Sequence, residues 1–183
     1  MARMELILPA PGAPLPAFLG FGRERAADVL RSLALSADAL SPDPRTKTGA
    51  ALLALDGSEL LREVNLLPPN VLATPWRLAS PEKYHWIEHA ERALVYKAAR
   101  RGLPLEGLVA ACTLFPCADC ARALALCGFR ALLTARPDER HASWHEHFKR
   151  SAAILSESKV ELVLLEPEDL GRGADPLPAP FLA

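Results

Sequence analysis

His89-Ala90-Glu91 and, 25 residues beyond Glu91, Pro116-Cys117-Ala118-Asp119-Cys120 have the residue types of a zinc-activated hydrolytic site. One His and two Cys make three protein ligands. Structural zinc sites usually close with four, whereas catalytic zinc keeps its fourth position for water, so three ligands beside a carboxylate point to hydrolysis. A zinc ion with two thiolates and a neutral imidazole has no formal net charge, and it can bring the pKa of a bound water from about 15.7 toward 7. Glu91, near the metal without being a ligand, can take that water's proton and pass it on, the general acid/base role.

These residues need elements to aim them. Phe18 to Leu40 has helical spacing of apolar residues and is stopped by Ser41-Pro42-Asp43-Pro44. Gly49 to Leu55 reads as a buried strand, Asp56-Gly57 as a hairpin turn, and Glu59 to Asn65 as the strand that pairs back. A long loop from 66 to about 82, with Pro68, Pro69, Pro75 and Pro81, leads to a helix over His89 to Arg101 that Gly102 ends. A strand over Leu108 to Leu114 is followed by a helix over Cys117 to Leu126, closed by Gly128. Phe129 to Thr134 then reads as strand, about Ala142 to Leu155 as helix, and Val160 to Leu165 as a last strand. Strands alternating with helices imply a sheet covered on both faces, hence a three-layer α/β/α domain with a mixed five-stranded sheet.

Both halves of the motif then fall at the start of a helix. Cys117 and Cys120, three apart, place their sulfurs on one face of a first turn, where unbonded N–H groups and the positive dipole end favour thiolates. His89 and Glu91, two apart, do not share a helix face and converge only on a metal lying off the helix end. The site therefore lies between two helix starts.

The arrangement H-x-E with P-C-x-x-C is the signature of zinc nucleobase deaminases. Through Asp43-Pro44 with Gly49-Ala50, Asn65, His89-Ala90-Glu91 and Thr113-Leu114-Phe115-Pro116-Cys117-Ala118-Asp119-Cys120-Ala121, roughly residues 25 to 165 of the chain resemble the cytidine and deoxycytidylate deaminase family. The resemblance implies the cytidine-deaminase-like fold, a Zn2+ cofactor held by His89, Cys117 and Cys120, Glu91 as proton shuttle, and Asn65 as a residue that orients the nucleoside. It also implies a homo-oligomer. The reaction would convert a cytosine-type base to a uracil-type base with loss of ammonia.

Leu114-Phe115-Pro116-Cys117 is closest to the deoxycytidylate branch, which puts dCMP to dUMP first. Free-base deamination of cytosine or guanine, tRNA adenosine deamination, and a catalytically silent zinc-binding module stay open as alternatives. The chain departs from the deoxycytidylate pattern at Ala93 and at Val64-Asn65-Leu66-Leu67-Pro68. Expected substrate contacts are Asn65, Ala90, Lys47 as a phosphate cation, and Trp86 as an aromatic on the pocket rim. Arg45, Lys83 and Arg92 are further candidate cations for a phosphate. His141 and His145, four apart, lack the Glu of a metalloprotease helix and read as a polar stripe, and Cys112 and Cys127 read as core.

With 21 basic and 22 acidic residues, the chain has a formal net charge of −1, so general attraction to nucleic acid or to an anionic membrane is not expected. The expected partner is a small nucleotide, nucleoside or base. Four Cys, two of them in C-x-x-C, suit a reducing cytoplasm, and no apolar run is long enough to span a membrane. Proline clusters at both ends divide the chain into an N-terminal arm (1–16), a deaminase domain (17–170) and a C-terminal tail (171–183).

Overall fold

Five strands and the helices on either side of them create the two helix starts that the site needs. A computed structural model describes residues 8–138 and 145–171. The strands are β1 (Gly49–Leu53), β2 (Glu59–Val64), β3 (Val109–Cys112), β4 (Ala131–Ala135) and β5 (Glu161–Leu165), in spatial order β2-β1-β3-β4-β5. β1 runs antiparallel to both β2 and β3, whereas β3, β4 and β5 are mutually parallel. This is the mixed five-stranded sheet expected. β1, β3 and β4 are buried at every position, which suits their Ala, Leu and Val composition, while β2 at the edge is only partly buried.

Alternation along each strand divides the core in two. Ala51 and Leu53 of β1, with Ala111, Leu133 and Val163, pack under Ala26, Leu30 and Leu33 of α1 (Arg23–Leu40). Ala50 and Leu52, with Ala110, Cys112, Leu132 and Leu164, face α3 (Ala90–Arg101), α4 (Ala118–Leu126) and α5 (His145–Glu157) through Leu94, Leu124, Phe148 and Leu155. Three layers result. β1 comes close to α1 at Gly49, since a Cβ there would lie 2.8 Å from the Leu33 carbonyl oxygen.

The hairpin expected at Asp56-Gly57 forms with Gly57 at φ +83°, and the Ala54 N–H donates to the Ser58 carbonyl at 2.9 Å. α1 begins at Arg23 rather than Phe18. Gly22 occupies its N-cap, and Phe18 and Phe21 continue the apolar pattern only because they pack against the core from the loop. Phe129 likewise precedes β4: its N–H bonds back to Leu124 O at 3.4 Å, closing α4, while its side chain stays buried.

The segment expected as loop contains α2 (Pro75–Leu78) and a 3-10 turn over Glu82–His85. Thr74 caps α2 by accepting the Arg77 N–H, with Pro75 at the first helical position. Leu66 and Glu88 exchange two backbone hydrogen bonds, at 3.1 and 2.8 Å, and so close the base of this segment directly before His89.

Of the N-terminal arm, residues 8–16 lie along the domain. Arg136 donates to Pro9 O and Arg23 to Ala13 O, each at 2.6 Å. A short 3-10 turn, Glu168–Leu170, follows β5, and its Asp169 pairs with Arg23 at 2.8 Å. The His141 to Trp144 stretch and the tail beyond Gly171 lie outside the described residues. Among the described residues no helix is long and apolar enough to cross a membrane.

Candidate active site

α3 and α4 each start where a strong side-chain cap is expected, and neither has one. His89 and Cys117 occupy the two N-caps, with extended backbone and no side-chain cap hydrogen bond. Ser, Thr, Asp and Asn are preferred at such positions because their oxygens accept first-turn N–H groups. Here the side chains turn to each other instead. Nδ1 of His89 lies 3.6 Å from Cys117 Sγ and 3.5 Å from Cys120 Sγ.

This spacing can be tested against a metal. Zn–S bonds of about 2.3 Å and Zn–N bonds of about 2.0–2.1 Å at tetrahedral angles put nitrogen and sulfur roughly 3.6 Å apart. The observed separations agree with that geometry, and the three ligand atoms all lie within 4.8 Å of one another. Among the described residues this is the group of His, Cys, Asp and Glu side chains that could hold a metal ion. The residues present fit zinc.

Electrostatics favour the same use. A hydrogen bond from the Cys120 thiol outweighs burial and, with His89 helping, pulls Cys117 down to about 3, while the same partnership and burial push Cys120 up. One thiolate is thus ready before a metal binds. Burial works to lower His89, but its contacts with Cys117 and the charge of Glu91 raise it overall.

Glu91 is at the second position of α3 and is 7% exposed. Burial raises its carboxyl above the usual range, against the opposing pull of His89. A carboxyl raised by burial holds its proton more readily than an exposed one, which is the direction that suits a proton shuttle.

The other expected residues are placed as follows. Ala90, fully buried, begins α3, and its N–H is among the first-turn donors that a helix cannot satisfy internally. Asn65 is fully buried at the end of β2, where Oδ1 accepts the Thr48 N–H and Nδ2 donates to Thr46 O, both at 2.9 Å. It thereby holds the 41–48 segment in place. Lys47 Nζ donates to Asp38 O at 2.7 Å, at the end of α1.

Trp86 sits within the 66–88 segment. Arg77 stacks on its ring at 4.2 Å, Trp76 meets it edge-on at 6.0 Å, and its Nε1 donates to Glu82 at 2.8 Å. Of the further candidate cations, Lys83 is buried against Asp43, and Arg92 is held by Glu88. Arg45 is exposed, with its guanidinium unbonded among the described residues.

Arg92 has a second contact that its place in the sequence did not suggest. Besides donating Nε to Glu88 at 2.8 Å, it directs NH1 at Cys120 Sγ at 3.6 Å. Glu88 also accepts the His89 N–H at 2.9 Å, so one carboxylate bonds to the backbone of one ligand and orients the cation beside another. Its four-residue spacing from Arg92 was the available signal. Groups of this kind orient ligands and tune a metal.

The family model for the cytidine and deoxycytidylate deaminase zinc-binding region matches residues 24–136. The chain belongs to this family. It is a zinc-dependent deaminase, with His89, Cys117 and Cys120 as its candidate zinc site. A crystal structure of dCMP deaminase from the cyanophage S-TIM5, in complex with dCMP and dUMP, superimposes with a TM-score of 0.59 at 20% identity, covering 75% of this chain and 94% of that one. RibD of Acinetobacter baumannii gives a TM-score of 0.54 at 19% identity, over 81% of this chain and 36% of that one. A tRNA:A34 deaminase gives 0.51 at 19% identity, over 78% and 98%. At these identities the likeness establishes the cytidine-deaminase-like fold. No match to a curated protein was found.

Proposed function

We propose that this deaminase acts on a cytosine-type base, with dCMP as the leading substrate and dUMP and ammonia as products. The observation that carries the reading is the approach of His89 Nδ1 to both thiols, with buried Glu91 two residues away. In support of dCMP, Leu114-Phe115-Pro116-Cys117 resembles the deoxycytidylate branch, and the cyanophage dCMP deaminase has the same fold.

Zinc in the triad supplies the Lewis acidity that lets water act as a nucleophile at neutral pH. Glu91 then moves two protons. It takes one from the water that adds to the amino-bearing ring carbon and delivers it to the adjacent ring nitrogen. It next carries the hydroxyl proton to the amine, the C–N bond breaks, ammonia leaves and a carbonyl remains. A carboxyl raised by burial suits both directions of transfer.

Ala90 is the proposed contact through its N–H, and Asn65, buried with both ends of its amide on the backbone, acts on the substrate through the segment it holds. For a phosphate, exposed Arg45, its guanidinium unbonded among the described residues, joins Lys47 as a proposed contact, and half-buried Trp86 stays the proposed aromatic on the pocket rim. The test is ammonia release from dCMP, CMP, deoxycytidine, cytosine, guanine and an adenosine-containing tRNA stem-loop. dCMP is expected to turn over fastest, and faster release from any other member would replace it as substrate.

A further inference from the structure

Away from the triad the domain buries an ion pair that the proposed chemistry does not use. Lys83 Nζ lies 2.8 and 3.1 Å from the carboxylate oxygens of Asp43, with side chains 3% and 0% exposed. Removing two charges from water is costly, and an apolar pair of similar volume is often as stable or more so. An ion pair does supply something that apolar contact lacks. Apolar surfaces can slide past each other, whereas two buried charges must stay in register.

The pair joins two separate stretches of chain, one of which runs directly up to His89. Lys83 belongs to the 3-10 turn of the 66–88 segment, and Asp43 to the 41–48 segment. Asp43 Oδ1 also accepts the N–H groups of Arg45 and Thr46, at 2.9 and 3.0 Å, so the carboxylate is well satisfied and its orientation is set. Thr46 O receives Nδ2 of Asn65, and Thr48 exchanges two further bonds with Asn65. The next residue, Leu66, is paired with Glu88, whose carboxylate holds the His89 N–H. A bonded path therefore runs from Lys83 through Asn65 to the first zinc-ligand residue.

We propose that Lys83 and Asp43 form a positioning pair, which fixes the 66–88 wall against the Asn65 segment and so sets substrate affinity without taking part in zinc binding or chemistry. This rests on reading Asn65 and the 66–88 segment as the substrate side of the site. Removing one partner alone would leave a buried charge and endanger the fold. The informative protein is therefore the double variant Lys83→Met with Asp43→Asn, in which the amide oxygen still accepts the Arg45 and Thr46 N–H groups.

The test compares zinc-loaded full-length protein with that double variant. The expected result is zinc content and melting temperature close to the parent, with amide hydrogen exchange in peptides of 66–88 faster by roughly tenfold. For dCMP the KM should rise by about tenfold or more while kcat stays within roughly threefold, because placement and not proton transfer has been disturbed. Unchanged exchange in 66–88 overturns the proposal whatever the substrate proves to be. So does an unchanged KM, and so does loss of zinc or of the fold, since the pair would then be holding the whole domain together. If dCMP is not turned over by the parent, the dCMP reading fails, and exchange alone still decides the positioning role.

Discussion

His89 and Cys117 hold the same position, the N-cap, in two different helices, and this brings Nδ1 and Sγ to 3.6 Å. Each helix gives up a side-chain cap, worth about 1 kcal/mol on average, and gains a metal ligand at its positively polarised end. Stability lost locally is recovered once zinc binds the folded state and not the unfolded one.

Removal of one ligand should undo that recovery. Cys120→Ser is expected to drop bound zinc from near one per chain to under about a tenth, and to lower the melting temperature by roughly 5 °C or more. Zinc analysis with calorimetry checks this, and chelation of the parent should reproduce the loss. A variant that retains full zinc would remove Cys120 from the ligand set.

Much of this was legible because the chemistry sits at helix starts and their signals are local. The P-C-x-x-C run, Gly102 after α3 and the Asp56-Gly57 turn each act within a few residues, and each proved to be where its local pattern placed it. Long-range polar partners were not legible. Nothing near Lys83 shows that it will be buried against Asp43, 40 positions away, and nothing near Asn65 shows that both ends of its amide will hold the 41–48 backbone. The α1 boundary was blurred for a related reason. Phe18 and Phe21 keep helical apolar spacing while packing from a loop, and only Gly22 marks the true start. Proline density concealed α2, although Thr74-Pro75 is a helix-start pair.

Arg92 should matter for zinc more than for substrate. It lies between the Glu88 carboxylate and Cys120 Sγ, at 2.8 and 3.6 Å. Arg92→Met is expected to weaken zinc affinity by about ten- to a hundredfold, the usual cost of losing a partner behind a ligand. Competition against a colorimetric chelator measures it. An unchanged affinity would reduce this contact to surface packing.

Glu91 should be costly to the fold and needed for the reaction. Burial raises its carboxyl above the ordinary 4.5, so folding favours proton uptake there and the ionised form lowers stability as pH rises past that value. Zinc-free Glu91→Gln should therefore melt at or above the zinc-free parent at pH 7, with the difference closing as pH falls toward the ordinary carboxyl range. Thermal melts across pH check the sign, and a variant less stable at pH 7 would mean that the carboxylate stabilises the fold.

If Arg45 meets a phosphate as proposed, it should separate a nucleotide from a nucleoside. Its exposed guanidinium has no bonded partner among the described residues, unlike the ammonium groups of Lys47 and Lys83 and the guanidinium of Arg92. Arg45→Ala is expected to raise KM for dCMP by about tenfold, in line with the loss of one charge-assisted hydrogen bond, and to leave deoxycytidine unaffected. Equal effects on both substrates would remove the phosphate contact from the proposal.

The most direct test of zinc-dependent deamination is ammonia release from dCMP by zinc-loaded protein, measured beside Glu91→Gln protein with equal zinc content. Steady release is expected from the parent, lowered by about 10²- to 10⁴-fold in the variant, the range typical of a lost proton-transfer group. Equal rates from both proteins would contradict the account.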